Sequence, residues 1–370
     1  MYFMTVILKN LLRRKLRNIL TVVGVGIGIG AVVSLVSITD GFMKSFTEML
    51  KSRGTDIAVT KAKNPDVLLN SIDESLGDEL KKIQGIESVS RVLVDLVTIE
   101  DFPSVMIFGF DPEEFIFEHF KIIEGRKFSR SEEDAVMIGK ILAKNLNLKA
   151  GDRVEIEREI FNIVGIYESG NVVENGGIVM NLKTLQRLMN REGYVTVFNI
   201  KLQDLDFTDS VIKEIKTKYP NLEAMTSEDI TRNNEGYKMA KALAWATSFI
   251  ALFVGALGTM NTVFMSVFER TKEFGLLRAI GWRRRRITLM ILGESIILGI
   301  IGGLVGMVIG VIGVHIINQI PIVKGSIVGD FSISLFLKAT AIAVGMGIFG
   351  GFIPSSWGSS ISPAEALRYE

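Results

Sequence analysis

The 370-residue sequence contains no cysteine and only two histidines, His119 and His315. The absence of cysteine excludes disulfide bonds, cysteine-ligated metals and thiol nucleophiles. The two histidines lie far apart, so we expect neither a histidine-based metal site nor a Ser-His-Asp triad within one chain. No Walker A pattern occurs, because Gly139-Lys140 lacks the upstream glycine of a phosphate-binding loop. We therefore expect no catalytic residue, no metal site and no cofactor bound by this chain.

The sequence also has little net charge, with 42 basic and 41 acidic residues. The charges are nevertheless unevenly distributed along the chain. Charged residues are frequent in positions 41–238, whereas both flanks contain long runs almost without charge. Positions 41–238 are therefore predicted to be water-soluble and the long uncharged runs to lie in lipid. We expect membrane lipid as a partner and no nucleic acid.

Four apolar runs are long enough to cross a membrane, since about 20 apolar residues span the hydrocarbon core as a helix. They are Ile19–Thr39, Ala242–Phe268, Ile287–Ile317 and Ala339–Trp357. The second run is longer than the membrane core is thick, so we expect it to tilt or to project. The 198 residues between the first two runs are left as a separate, water-soluble domain.

Lysine and arginine cluster before the first span and between the second and third spans. The residues are Lys9, Arg13, Arg14, Lys15, Arg17, Arg270, Lys272, Arg278 and Arg283 to Arg286. Positive charge favours the cytoplasmic side, so we expect a plasma-membrane protein with cytoplasmic termini and residues 41–238 outside. Trp245, Trp282 and Trp357 fall at span ends, where tryptophan is enriched. A cleaved signal peptide over residues 1–39 is an alternative that leaves the other spans unchanged.

Glycines with four-residue spacing occur in the spans, notably Gly24 and Gly28, Gly299 and Gly303, and Gly306. Small residues allow close approach of membrane helices, so we expect these glycines to pack within the bundle or across a dimer. The alternative is that glycine is simply common in membrane helices.

Glu294 lies within the third apolar run. An ionisable residue inside a membrane span is a candidate functional site. The alternative places Glu294 near the cytoplasmic interface, paired with an arginine of the preceding loop. His315, near the other end of the same run, fits an interfacial position.

Residues 41–238 alternate between strand-like and helix-like patterns, which predicts an α+β domain with an inserted β-rich subdomain. Predicted strands are 56–60, 88–99, 104–110, 154–166 and 195–202, and predicted helices are 71–83, 139–146, 182–189 and 209–219. The predicted fold class is an α-helical membrane protein of four transmembrane helices with this extracytoplasmic domain inserted between the first and second. The predicted domains are 1–40, 41–238 and 239–370.

Three stretches, 10–41, 261–287 and 354–370, together resemble the permease family that includes MacB, LolC/LolE and FtsX. They are NLLRRKLRNILTVVGVGIGIGAVVSLVSITDG, NTVFMSVFERTKEFGLLRAIGWRRRRI and PSSWGSSISPAEALRYE. Residues 124–169 look like the MacB-type periplasmic core domain, and the stretch 10–41 looks like the family's amphipathic entry helix followed by the first span. The resemblance covers essentially the whole chain, and the stretch 261–287 is its most specific part.

The family resemblance suggests that the cytoplasmic loop 269–286 couples to an ATPase. A short helix with one charged and one apolar side is expected from Glu269, Arg270, Glu273, Leu276, Leu277, Arg278 and Ile280. Gly281 would end it, and such a helix suits a groove of a soluble partner. The alternative is that the arginines only set the topology and contact anionic lipid.

What the resemblance implies is a permease subunit of an ABC transporter, working as a homodimer or heterodimer with two separate ATPase subunits. ATP would be used by the partner, and the long first and second helices would transmit the motion to the external domain. Export or extraction of a substrate is the expected outcome. Alternatives are a membrane-anchored sensor and an FtsX-like regulator of envelope enzymes. A secondary transporter would need polar residues at the membrane midplane, and these spans offer few.

Overall fold

The computed structural model describes residues 15–62, 70–99, 102–227, 229–230, 235–320, 325 and 327–362. Its α-helices, in chain order, are α1 (Lys15–Ser52), α2 (Leu76–Leu80), α3 (Lys140–Leu146), α4 (Val172–Asn175), α5 (Leu182–Leu188), α6 (Thr208–Lys218), α7 (Glu235–Glu269), α8 (Thr271–Ala279), α9 (Arg284–Ile317) and α10 (Ile333–Ser360). The strands are β1 (Ile57–Lys61), β2 (Ile72–Asp73), β3 (Ile86–Ile99), β4 (Phe102–Phe110), β5 (Lys121–Gly125), β6 (Ala135–Gly139), β7 (Arg153–Ile156), β8 (Glu159–Glu168), β9 (Ile178–Asn181), β10 (Tyr194–Val195), β11 (Val197–Leu202) and β12 (Leu222–Thr226). Short 3₁₀ helices cover Phe115–His119 and Leu205–Phe207.

Four helices are long and apolar enough to cross a membrane, namely α1, α7, α9 and α10. They contain the four predicted spans, so the prediction of a multi-pass membrane protein is confirmed. Each helix is longer than its apolar run, and α1 continues beyond Thr39 through a charged stretch to Ser52. Residues 363–370 of the C-terminal stretch 354–370 lie outside the described residues, and so does most of the predicted amphipathic helix before the first span.

The described residues form two compact units. The membrane unit comprises 15–39, 240–316 and 329–362, and the α/β unit comprises 40–239 and 317–328. The large α/β domain between the first and second membrane helices is therefore confirmed.

A ten-stranded mixed sheet forms the centre of the α/β unit, in the order β12-β1-β11-β3-β4-β9-β6-β8-β5, with β7 paired to β8. Strands β4 and β9 pair in parallel, as do β6 and β8, and the other pairings are antiparallel. Strands β2 and β10 form a separate two-stranded sheet.

Alternation along the strands produces a separate hydrophobic core on each face of the sheet. In β4, Val105 and Ile107 enter one core, which also contains residues of α2, α3, α5 and α6. Phe108 and Phe110 enter the other core, which is rich in aromatic side chains and includes Met49 of α1.

Two secondary-structure predictions for this unit were wrong. The predicted strand 154–166 is a hairpin of β7 and β8, whose turn residues Glu157 and Arg158 have φ of 49° and 72°, as a tight two-residue hairpin turn requires. The predicted helix 71–83 is strand β2 followed by the short helix α2. Strands β5 to β9 continue the main sheet and do not form a sheet of their own.

Candidate functional site: helix α8 and its supports

Glycines allow close packing at two helix–helix contacts of the membrane unit, α9 against α1 and α9 against α10, each called a seam below. A Cβ placed at Gly306 of α9 would lie 2.7 Å from the carbonyl oxygen of Gly26 in α1. At Gly299 it would lie 2.6 Å from the carbonyl oxygen of Ala343 in α10, and at Gly303 it would lie 2.5 Å from the Ala343 Cβ. These approaches are too close for any side chain, so α9 packs against α1 on one seam and against α10 on the other through glycine.

Gly28 and Gly24, which were predicted to act together, differ in the structure. A Cβ at Gly28 would lie 3.2 Å from the carbonyl oxygen of Ala251 in α7, whereas a Cβ at Gly24 would meet no atom within 4 Å. Within the chain, therefore, close packing requires a glycine at position 28 but not at position 24, and packing of Gly24 across a dimer stays a prediction.

A break in the helix at Arg270 separates α7 from α8. Arg270 has φ of −111° and ψ of 16°, and the Thr271 hydroxyl donates to the carbonyl oxygens of Val267 (3.1 Å) and Phe268 (2.9 Å). The predicted short helix is thus corrected at its start, because Glu269 is the last residue of α7 and α8 begins at Thr271.

The Arg270 side chain turns inward from this break. Its Nη1 donates to both Glu294 carboxylate oxygens, at 2.9 and 3.0 Å, and its Nε donates to Glu273 Oε2 at 2.9 Å. The guanidinium carbon lies 5.0 Å from the Phe274 ring centroid. Because the side chains of Arg270 and Glu294 are only 8% and 12% exposed, this pair fixes α8 to α9. Glu294 thus has the arginine partner that the second interpretation required.

Two further contacts attach the inner side of α8. Phe274 is buried in a cluster with Val267 of α7 and with Ile287 and Ile291 of α9. Arg278 Nη1 donates to the carbonyl oxygen of Ser359 in α10 at 2.9 Å. Helix α8 is therefore held by three membrane helices through an ion pair, an aromatic side chain and a hydrogen bond.

The outer side of α8 is exposed and amphipathic. Leu276 and Ile280 are 58% and 70% exposed, and Lys272 and Glu273 are exposed beside them. Lys272, Leu276 and Ile280 have four-residue spacing, which places them on one side of a helix. A partner protein could contact this ridge without disturbing the anchoring residues.

A Schellman-type turn ends α8. Gly281 has φ of +99°, its N–H donates to Arg278 O at 3.0 Å, and the Trp282 N–H donates to Leu277 O at 3.0 Å. The expected role of Gly281 as the helix terminator is confirmed. The next residues, Arg283 to Arg286, are all exposed.

The structure divides the predicted coupling residues into two groups. Arg270 and Arg278 face inward and Leu277 is half-buried, so these three hold α8 in place. Glu273 is exposed, and Leu276 and Ile280 form the outer ridge. Spacing from the buried Phe274 separates the two leucines. Leu277 lies three positions after Phe274 and shares its side of the helix, whereas Leu276 lies two positions after it and faces away. Among the residues that the structure describes, no group of three or more His, Cys, Asp or Glu could hold a metal ion.

Four membrane helices, a large α/β unit between the first and second, and a short amphipathic helix after the second define a multi-pass membrane protein of the permease type. A family model for the MacB-like periplasmic core domain matches residues 19–218, and one for the FtsX-like permease C-terminal region matches residues 245–363. The chain therefore belongs to the MacB/FtsX-like family of ABC transporter permeases.

An ABC transporter permease of Methanocaldococcus jannaschii is 26% identical, over 98% of this chain and 96% of the relative. The macrolide export ATP-binding/permease protein MacB of Bdellovibrio bacteriovorus is also 26% identical over 98% of this chain, which covers only 61% of that protein. The crystal structure of the periplasmic region of MacB from Actinobacillus actinomycetemcomitans matches 50% of this chain and 95% of its own length, with 15% identity and a TM-score of 0.40.

Proposed function

We propose that this permease subunit couples ATP hydrolysis by a separate ABC-type ATPase to motion of its α/β unit, for export or extraction of a substrate. The observation behind the proposal is α8, which is fixed to three membrane helices on its inner side and exposes an apolar ridge on its outer side. A partner bound to Leu276 and Ile280 would move Arg270 and Phe274, and with them the helices that these residues contact.

The charge around α8 supports a cytoplasmic docking position. Arg283 to Arg286 are exposed next to the helix, and positively charged loops favour the cytoplasmic side, where an ATPase finds ATP. The MacB relatives are named as ATP-binding and permease proteins in one chain, and this chain matches about three fifths of their length. We propose that another polypeptide supplies the ATP-binding part, and that two permease copies assemble with two ATPase copies.

Charged substitutions on the outer ridge test the docking proposal. Leu276→Glu and Ile280→Glu place a carboxylate in the proposed contact and leave the inner anchors intact. We expect each to lower co-purification of the ATPase by about tenfold or more, the effect of losing a buried apolar contact in an interface. The measurement is the amount of ATPase recovered with the tagged permease in detergent, together with the ATPase rate of the recovered complex.

The matched control is Leu205→Glu, because Leu205 is 67% exposed in the α/β unit, outside the proposed docking helix. Its ATPase recovery should equal that of the unmodified protein. Undiminished ATPase recovery with both ridge variants would contradict the proposal. Recovery of no ATPase with the unmodified protein would favour a sensor without a coupled ATPase.

A further inference from the structure

The end of α1 lies inside the α/β unit and is closed by a second Schellman-type turn. The N–H of Gly54 donates to Lys51 O at 3.1 Å and that of Thr55 donates to Leu50 O at 3.2 Å. Gly54 has φ of +70°, which glycine adopts readily. This turn fixes the direction of Arg53, the residue that directly follows the helix.

Arg53 is buried, with its side chain 1% exposed. Its Nε donates to Glu174 Oε1 at 2.6 Å, and its guanidinium carbon lies 5.3 Å and 5.1 Å from the ring centroids of Phe108 and Phe110. A charge-assisted hydrogen bond and two cation–π contacts therefore hold one cation against β4 and α4.

Glu174 is the centre of this cluster and has a fully buried side chain. Its other oxygen accepts hydrogen bonds from Asn171 Nδ2 at 2.7 Å and from His119 Nε2 at 3.0 Å. His119 Nδ1 faces the carbonyl oxygen of Ile116 at 2.5 Å. Both ring nitrogens of His119 therefore lie within hydrogen-bond distance of an acceptor oxygen.

The Glu174 carboxylate is fully buried, and the buried Arg53 guanidinium balances its charge. Burial alone would raise the pKa of Glu174, but Arg53 and His119 together lower it to about 2. One carboxylate thus links the end of α1, helix α4 and the 3₁₀ helix Phe115–His119.

We infer that the Arg53–Glu174–His119 cluster is the junction through which the last turn of α1 and the α/β unit move as one body. This inference depends on the proposed function, in which α1 transmits motion. Apolar contacts of Met49 and Leu50 with the same core are not directional and would allow the helix end to slide. A buried ion pair with fixed donors has one favourable geometry, so the cluster adds a rigid attachment to these apolar contacts.

The test measures how rigidly the end of α1 is attached. Because the sequence has no cysteine, cysteines at the exposed positions Glu48 and Lys213 accept two spin labels in the full-length protein in lipid nanodiscs. We expect one narrow distance distribution in the unmodified protein. In Glu174→Gln, which removes the central charge, we expect a distribution wider by about twofold or more, as for a loosened hinge.

Three further variants separate rigid attachment from stability. Glu87→Gln removes a carboxylate from the exposed pair with Lys201, whose side chains are 48% and 44% exposed, and should leave the distribution narrow. Arg53→Lys retains the positive charge and should keep most of the narrow distribution. If Glu174→Gln does not fold, His119→Gln replaces it and should give an intermediate width. If the cluster only stabilised the fold, its loss would lower the melting temperature and leave the distance distribution of the folded protein unchanged.

The ATPase rate of the complex that is recovered with each tagged variant in detergent distinguishes the junction from the proposed function. A wider distribution together with a lowered ATPase rate supports both. A wider distribution with an unchanged ATPase rate supports the junction and contradicts transmission through α1. A narrow distribution in the folded Glu174→Gln and His119→Gln proteins overturns the junction, whatever the ATPase does.

Discussion

The membrane unit and the α/β unit each contain an arginine that directly follows a long helix and pairs with a distant glutamate. Arg270 follows α7 and pairs with Glu294, and Arg53 follows α1 and pairs with Glu174. The two clusters are built in opposite ways. In the membrane unit one arginine donates to two carboxylates, those of Glu294 and Glu273, whereas in the α/β unit one carboxylate accepts from two side chains, those of Arg53 and His119.

Burial also differs between the two clusters. Glu174 and Arg53 are shielded from solvent almost completely, whereas Glu273, the second carboxylate at Arg270, is 56% exposed. Water can therefore stabilise a charge left over at the membrane-unit cluster and cannot do so at the α/β cluster. Loss of the central charged side chain should therefore cost more stability in the α/β cluster, where its partners are more deeply buried.

The largest expected effect is the loss of the central carboxylate in the α/β unit. Glu174→Ala leaves Arg53 and His119 buried side by side, and removing one side of a buried ion pair costs about 3–5 kcal/mol. His119→Gln removes only one peripheral hydrogen bond to a charged group, for which we expect about 1.5–3 kcal/mol. The measurement is the free energy of opening of β4 and β9 amides by hydrogen exchange in the full-length protein.

Glu87→Gln provides the control for that series, since exposed ion pairs contribute about 0–1 kcal/mol. If the opening free energy falls as much in His119→Gln as in Glu174→Ala, the prediction is contradicted, because Glu174 would then not be the centre of the cluster.

Acid should weaken the α/β unit through the same carboxylate. The pKa of Glu174 is about 2 in the folded protein against a usual value of 4.5. A lowered folded-state pKa gives stability that is fully present above the unfolded pKa and is lost as pH falls through the folded pKa. We therefore expect this contribution to disappear between pH 4.5 and about 2, at a slope of about 1.4 kcal/mol per pH unit. Calorimetric melting of the unmodified protein and of Glu174→Gln should show the acid slope reduced in the variant, and equal slopes would contradict the assignment.

Helix packing in the membrane unit gives the next effect. Alanine at Gly299 would place Cβ 2.6 Å from the Ala343 carbonyl oxygen, whereas alanine at Gly24 would meet no atom within 4 Å. We expect Gly299→Ala to cost about 1–3 kcal/mol, as overpacking does. Gly24→Ala should be neutral or slightly stabilising, since alanine favours helix by about 0.8–1 kcal/mol over glycine. Unfolding of the membrane unit in mixed micelles with increasing SDS measures both, and equal losses would mean that Gly24 also lies in a close helix contact.

These glycines show how far the sequence alone can lead. Apolar run length predicts four spans because the bilayer sets that length, and charge segregation predicts a water-soluble domain between two of them. Four-residue spacing of glycine identifies candidate seams but cannot select the partner helix, so Gly24 and Gly299 look alike until the helices are placed.

The two charged clusters differ in the same way. Glu294 is conspicuous in the sequence because it is an ionisable residue inside a long apolar run, and its arginine lies in the adjoining loop. Glu174 lies in a segment rich in polar residues, 121 positions from Arg53, and no local pattern joins them. The hairpin at Glu157 was missed for a related reason, since neither Glu157 nor Arg158 is a typical turn residue for positive φ.

The smallest expected effects concern the two glycines that end α1 and α8. At both Gly54 and Gly281 a Cβ would meet no atom within 4 Å, so substitution there costs only backbone strain, about 1–2 kcal/mol for alanine. The φ of Gly54, +70°, lies at the edge of the left-handed region that asparagine tolerates, whereas the φ of Gly281, +99°, lies beyond it. We therefore expect Gly54→Asn to cost less than Gly54→Ala, and Gly281→Asn to cost as much as Gly281→Ala. Exchange of the Thr55 and Trp282 amides, which close the two turns, reports each cost directly. If asparagine costs less than alanine at both sites, the two glycines have similar φ values in solution, and the predicted difference is wrong.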